Sequence, residues 1–389
     1  MRILLFTGKG GVGKSTVAAG TAALAAARGK RTLVLSTDAA HSLADAFGAP
    51  VGSEPTEVAP QLFVQQVDAQ RRFEQSWAAI QRYLLSVLDV AGVDPVAAEE
   101  LTVIPGAEEV LALLELRVQA LQGGWDVIVV DCAPTAETLR LLALPEALGW
   151  YMQRVFPFER RVVKALKPVL AKASGVPMPE DSVFDAVERL HADLDEVRQL
   201  LAGPQASVRL VMTPEKVVLA EARRSWTTLS LFGYRVDGVI ANRVFPAEAA
   251  DEWRQGWVAA QAAVLEETAE SFAELRQWRS LYRGSEPVGT EALREVAADL
   301  YGDDDPFAAP EGADPFRVTR DAHGALLELA LPNVAKADVD LARHGDELVV
   351  TVASYRRLLS LPPGLARHRV VGARVESGTL QVRFEEVAR

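Results

Sequence analysis

Cysteine is almost absent: Cys132 is the only one in 389 residues. That excludes a disulfide framework, a four-cysteine zinc site within the chain and a CxxC redox pair. A reducing, cytoplasmic setting fits. Long hydrophobic runs are missing too. No stretch approaches the roughly 18 uninterrupted apolar residues of an integral membrane span. The longest weakly polar run, residues 17–27, is Ala-rich and follows a Gly-rich loop. The amino-terminal apolar core, residues 3–6, is too short for a signal peptide. Positive charge is in deficit, with 41 Lys+Arg against 53 Asp+Glu, a net of −12. Residues 314–389 hold 11 basic and 10 acidic side chains, a net of +1, so the remainder carries −13. An acidic body without a Lys/Arg block is a poor electrostatic footprint for nucleic acid.

What is present is a chain with 49% hydrophobic and 24% charged residues, ordinary for a folded protein of two or three domains. Short apolar runs at 3–6, 32–36, 63–67, 127–131, 208–212 and 239–242 read as buried parallel strands. Stretches of helical period lie between them, among them 16–28, 108–121 and 185–201. Strands alternating with helices predict an α/β fold with a mostly parallel sheet. An embedded helical region falls within about 71–201. Residues 303–314 are rich in Asp, Pro, Ala and Gly and read as a linker. Beyond it, 325–331, 347–352 and 379–384 alternate like half-buried antiparallel strands, with Leu380, Val382 and Phe384 on one face. The expected organisation is therefore a motor over 1–302, the linker, and an all-β domain over 315–389.

Gly8-Lys9-Gly10-Gly11-Val12-Gly13-Lys14-Ser15 matches G-x-x-x-x-G-K-[ST] in full. A strand precedes it and a helix opens at Thr16, the context such a loop requires. Its glycines let backbone N–H groups point at the β- and γ-phosphates of ATP. Lys14 neutralises phosphate charge, Ser15 would ligate Mg²⁺, and Thr16 would sit near the α-phosphate. Lys9 read alone is a solvated surface lysine. The block through Thr16, however, resembles the deviant phosphate loop of the dimerising ATPases. These include the nitrogenase iron protein, the septum-site and partition ATPases, and the arsenite/tail-anchored-protein group. The resemblance implies a homodimer in which Lys9 reaches the partner's nucleotide.

Ser36-Thr37-Asp38-Ala39-Ala40-His41-Ser42-Leu43-Ala44-Asp45-Ala46-Phe47 resembles the first switch of the ArsA/Get ATPases of arsenite export and tail-anchored-protein targeting, with Ala39 replacing a proline. A carboxylate just after a strand can orient an attacking water. The resemblance gives that role to Asp38; the alternative is a helix cap. Asp131-Cys132-Ala133-Pro134-Thr135-Ala136-Glu137 resembles the second switch, with Ala136 for glycine and Glu137 for histidine. Asp131, ending a strand, would hold the Mg²⁺ shell. The stretch 213–224 resembles the group's T-P-E-K helix start. Asn242-Arg243 stand where the group carries an asparagine that hydrogen-bonds adenine, a role an amide suits; a turn residue is the other reading. The loop at Pro287 resembles the one that closes over the base.

The catalytic set implied is Asp38, Lys9 and Lys14. The nucleotide set is residues 8–16 with Asn242, Arg243 and Pro287, and the metal set is Ser15 and Asp131. ATP and Mg²⁺ are the expected cofactors, and no zinc is expected. Arsenite would need several thiolates, which one cysteine cannot supply. In the helical middle, apolar Met152–Leu170 positions interleave with Arg and Lys, reading either as a core-facing helix or as a groove for hydrophobic client proteins. The tail resembles the α-crystallin domain of small heat-shock proteins, with Asn333 in place of a glycine. The resemblance implies a targeting factor or chaperone driven by ATP. A partition or positioning ATPase on membrane or DNA, and a slow-hydrolysing ATP-binding scaffold, are the rivals.

Overall fold

The computed structural model describes residues 1–37, 42–66, 85, 107–133, 181–248, 251–310, 314–321, 324–361, 365 and 367–386. The expectations for Asp38 to His41, for Pro134 to Glu137 and for most of the helical middle, 152–170 included, lie outside them.

The first part is an eight-stranded sheet, seven strands parallel. It comprises β1 (Arg2–Thr7), β2 (Thr32–Ser36), β3 (Thr56–Ala59), β4 (Leu62–Gln66), β5 (Val127–Asp131), β6 (Ala206–Met212), β7 (Val236–Val244) and β8 (Arg276–Leu281), in the order β3-β4-β2-β5-β1-β6-β7-β8. Only β3 runs antiparallel. The central strands β1, β2, β5 and β6 are buried along their whole length, which is why they read as unbroken apolar runs. β8 was not anticipated: it is an edge strand burying only Trp278 and Ser280, so its sequence carries no such run.

Among the described residues this part also holds helices α1 (Lys14–Ala27), α2 (Ser42–Phe47), α3 (Ala107–Gln122), α4 (Asp181–Ala202), α5 (Lys216–Leu231), α6 (Glu252–Ser271) and α7 (Thr290–Tyr301). α1 is buried along most of its length between sheet and α7, and its alanines permit that. At Gly20 a Cβ would lie 2.6 Å from the Leu293 carbonyl oxygen, so the α7 backbone passes directly over the missing side chain. Gly20→Ala should therefore destabilise by about 1–3 kcal/mol, although alanine is the better helix former. A denaturant melt checks this; an unchanged or raised midpoint would refute the close approach. α3 and α4 pack together, with Arg117 bonded to Glu196 at 2.7 Å and paired with Asp193 at 3.1 Å.

A buried ionic cluster lies between β6 and β7. The Arg209 guanidinium bonds both Asp237 oxygens at 3.1 Å and the Tyr301 hydroxyl at 3.1 Å. It also donates to the Pro306 carbonyl. Arg2 reaches Asp237 at 2.9 Å. Burial works against the Asp237 carboxylate, but the two guanidiniums outweigh it and hold its pKa below 3.8. Burial lowers Arg2 to about 10, against the pull of Asp237.

The stretch read as a linker is bound where it begins. Trp278 donates to Asp304 at 2.8 Å, and Phe307 is buried beneath Arg28 and Lys30.

The tail is an antiparallel β-sandwich, the all-β architecture expected. One sheet orders β14 (His368–Glu376), β15 (Thr379–Glu386), β10 (Gly324–Ala330) and β9 (Phe316–Asp321). The other orders β11 (Val339–His344), β12 (Glu347–Val352) and β13 (Tyr355–Ser360). Leu380, Val382 and Phe384 do share its buried face, against Leu327, Leu329 and Val350. Asn333, the residue in place of glycine, has φ +60°, a conformation asparagine tolerates better than most. The sandwich sits on the end of α5: Leu231 joins its core, and Arg357 donates to the Leu231 carbonyl.

Candidate functional site

The loop 8–13 leaves the carboxyl end of β1, where the chain order turns from β5 on one side to β6 on the other. Ligands of open α/β sheets bind at such a switch point. Two glycines are dictated by contact. A Cβ on Gly8 would lie 2.0 Å from the Val211 carbonyl oxygen, and one on Gly13 would lie 2.4 Å from Asn242 Nδ2. Gly11 and Gly13 also hold φ +81° and +90°, which favour glycine. Gly13 ends the loop and Lys14 opens α1, so the helix amino terminus faces the hollow. Lys14 is buried, its Nζ curling back to the Lys9 carbonyl at 3.4 Å. Gly10 and Gly11 are exposed and Lys9 is half-buried on the outer rim.

The strand register gathers the expected metal-binding side. Asp131 is paired with Phe6 on one side and Ser36 on the other, and is wholly buried. Thr37 N–H donates to the Asp131 carbonyl at 2.9 Å, and Thr37 Oγ1 accepts from Ala133 N–H at 3.2 Å. Ser15 Oγ lies 3.1 Å from Ser42 Oγ. The Ser15 and Ser42 hydroxyls and the buried Asp131 carboxylate are all oxygen donors, the chemistry a hard cation such as Mg²⁺ takes. Ser42 gains its part only in the fold, which brings its hydroxyl to that of Ser15, 27 residues earlier. Cys132 is buried, and desolvation, then the Asp131 charge, push its thiol well above the ordinary range despite Lys14. A buried thiol held protonated is poorly suited to nucleophilic or thiolate chemistry.

Asn242 and Arg243 lie within β7, which continues two residues past the expected strand end. Its pairing with β8 shifts register between Ala241 and Val244, and Arg243 takes φ +58° there. Such a bulge re-aims side chains at the cost of local strain, about 1–3 kcal/mol. Asn242 Nδ2 donates to the Val12 carbonyl at 2.8 Å, and Arg243 Nη1 to the Gly11 carbonyl at 2.8 Å. Both thus brace the phosphate loop, a part that motif reading did not assign them. Beside them opens a cavity of about 340 Å³, lined by Gly13, Thr16, Asn242, Arg243, Tyr282 and Pro287 among others. A purine base would fit that volume. The loop over it is tied to the first-switch helix, since Gly289 N–H donates to the Ala46 carbonyl at 2.8 Å.

Comparison with known proteins agrees with this geometry. The family described as anion-transporting ATPase matches residues 1–302, and an HSP20-like domain found in that family matches residues 322–384. A Chlorobaculum tepidum protein named "Putative arsenical pump-driving ATPase" is 37% identical, covering 94% of this chain and 91% of its own length. An uncharacterized protein of Streptomyces coelicolor is 39% identical over 99% of this chain and 97% of its own length. The get3 ATPase of Aspergillus niger is 27% identical over 80% of this chain and 93% of its own length. Among the described residues no helix is long and apolar enough to cross a membrane. A phosphate loop at the switch point, a base-sized cavity beside it and a matching profile over both parts lead to one family: the chain belongs to the anion-transporting ATPases, in the form that carries an HSP20-like domain.

Proposed function

We propose that the chain is a homodimeric ATPase whose two copies close over ATP and reopen on its hydrolysis, and that this cycle binds and releases hydrophobic protein segments. The observation that carries the reading is the braced loop. Its inner face is fixed by Val211, Asn242 and Arg243, while Lys9 lies half-buried on its outer rim. A loop held on three sides can present aligned backbone N–H groups without reorganising, and such positioning is most of what phosphoryl transfer to water requires.

Each residue then has a part. Gly8 to Gly13 cradle the phosphates, and Lys14 offsets their charge from within the fold. Ser15 and Asp131 would hold Mg²⁺, Asp131 through water; bound there, the ion would offset charge on the β- and γ-phosphates. Asp38 orients the attacking water. Asn242, Arg243 and Pro287 line the base cavity. Lys9 acts on the partner's nucleotide.

The similarity to a get3 ATPase supports a protein-segment client. A relative named for arsenical pumping raises arsenite as the rival, but one buried cysteine per chain, Cys132, does not supply the several thiolates arsenite wants. The test is capture of an apolar helical peptide by the full chain with ADP, with a slowly hydrolysed ATP analogue, or with neither. Peptide affinity should change at least about tenfold between nucleotide states, about 1.4 kcal/mol of coupling. Equal affinity in all three states would discard the client reading and leave the ATPase assignment standing.

A further inference from the structure

β7 outruns its neighbour β6. The two pair only as far as Ala241, yet β7 continues to Val244, and its register against β8 slips on the way. A strand that slips and loses a neighbour leaves backbone groups in need of other partners. On one edge, Tyr282 N–H donates to the Val244 carbonyl at 2.8 Å. On the opposite edge, a single side chain of α6 takes the place of the missing strand. Gln261 Oε1 accepts from Phe245 N–H at 2.8 Å, and Gln261 Nε2 donates to the Arg243 carbonyl at 3.1 Å. A side-chain amide both donates and accepts, as a peptide unit does. Gln261 is 6% exposed. The other buried residues of α6 are Val264, Leu265 and Thr268, and the Thr268 hydroxyl bonds back to the Val264 carbonyl of its own helix. Gln261 is thus the buried polar residue of α6 that reaches another element. Burying an amide costs free energy unless both of its ends are bonded, and an apolar residue would pack there without that demand.

The segment it clamps is the one that aims Asn242 and Arg243. Their side chains donate to the carbonyls of Val12 and Gly11, each at 2.8 Å. In a trans peptide the N–H points opposite to the C=O of the same unit. The Gly11 carbonyl shares its unit with Val12 N–H, and the Val12 carbonyl shares its unit with Gly13 N–H. Holding both carbonyls toward β7 therefore turns both N–H groups away from β7, toward the hollow of the loop. Arg243 does this from φ +58°, a conformation that persists only when its surroundings impose it.

We propose that Gln261 is a positioning residue for the nucleotide. By clamping the Arg243 carbonyl and Phe245 N–H, it keeps the bulge in the form that turns the Val12 and Gly13 N–H groups toward the phosphates. The proposal rests on the reading of residues 8–16 as the nucleotide site. Gln261 touches neither the loop nor the base cavity, and it acts only through Asn242 and Arg243. Without it, Arg243 relaxes out of its left-handed conformation, and the two carbonyls of the loop lose their holds. Backbone N–H groups on a phosphate serve the bound substrate and the transition state alike, so their loss falls on affinity more than on the chemical step.

The test titrates the full chain with a fluorescent ADP in Mg²⁺, well below its melting temperature, and measures ATP turnover beside it. Gln261→Leu should weaken ADP binding about tenfold and raise the KM for ATP by a similar factor, with kcat within about threefold of wild type. Gln261→Glu should also weaken ADP, since an ionised carboxylate still accepts from Phe245 N–H but cannot donate to the Arg243 carbonyl. In an Arg243→Met background, Gln261→Leu should cost less than about threefold more, because the two residues belong to one brace. Should Gln261→Leu fail to fold, Gln261→Glu carries the same readouts. A variant that melts lower but binds ADP like wild type makes Gln261 a structural clamp only and overturns the proposal. Equal fold-losses in the wild-type and Arg243→Met backgrounds overturn it as well. A wild type that binds no ADP withdraws the nucleotide-site reading itself, and this proposal with it.

Discussion

Lys9→Ala and Asp38→Asn should each lower ATP turnover by about 10²–10³-fold, the cost of removing one group that stabilises or positions the transferring phosphoryl. Mixed in equal amounts and allowed to exchange, the two inactive proteins should recover about a quarter of wild-type turnover. Half of the pairs in such a mixture are mixed dimers with one complete site. That site has its own Asp38 and receives Lys9 from its partner. If Lys9 served its own subunit, neither site of a mixed dimer would be complete and nothing would be recovered. The outcome separates action across the interface from a loss that is only structural. If Asp38→Asn turned over like wild type, the water-positioning role would be withdrawn.

The second large effect is on stability. Asp237→Asn should cost about 3–5 kcal/mol, because it leaves two buried guanidiniums without a counter-charge. On a domain of this size the melting temperature should fall by roughly 10 °C. The pH dependence has a definite sign. Asp237 is held below the ordinary carboxylate value of 3.8, so its contribution is present above that pH and is lost as pH falls through its lowered pKa. Wild type should lose this increment of stability in acid, and the asparagine variant should lack that loss. Replacing Arg2, Arg209 and Asp237 together by apolar residues of similar volume should restore part of the deficit. A single asparagine variant melting within a degree of wild type would mean that the cluster is not a stabilising unit.

The legible parts of this protein are those in which local sequence and tertiary demand coincide. β1, β2 and β5 are buried on both faces, so their apolar runs are readable directly. The phosphate loop is readable because two of its glycines are forced by neighbours and a third by its backbone angle. β8 was illegible because an edge strand need not be apolar. The brace from Asn242 and Arg243 to the loop spans 230 residues of sequence and depends on a bulge that no local pattern announces. α6 was missed for a related reason: its apolar residues lie on both faces, so it lacks the one-sided period by which a surface helix is recognised. In the tail, alternation in β10 and β15 marked both strands, because one face packs against the opposing sheet.

The bound stretch after α7 redraws where the motor ends. By composition the chain could be cut after Gly302, at the first aspartate. Physically the sheet is not finished there. Arg209 would lose the carbonyl of Pro306, Trp278 would lose Asp304, and the apolar seat beneath Arg28 and Lys30 would lose Phe307. A shortened protein stopping at residue 302 would thus carry an open wound in its core. One extended through Phe307 would carry only the exposed end of α5 that the sandwich normally covers. The acidic, proline-bearing run that looks like a tether begins as the last stitch of the domain before it.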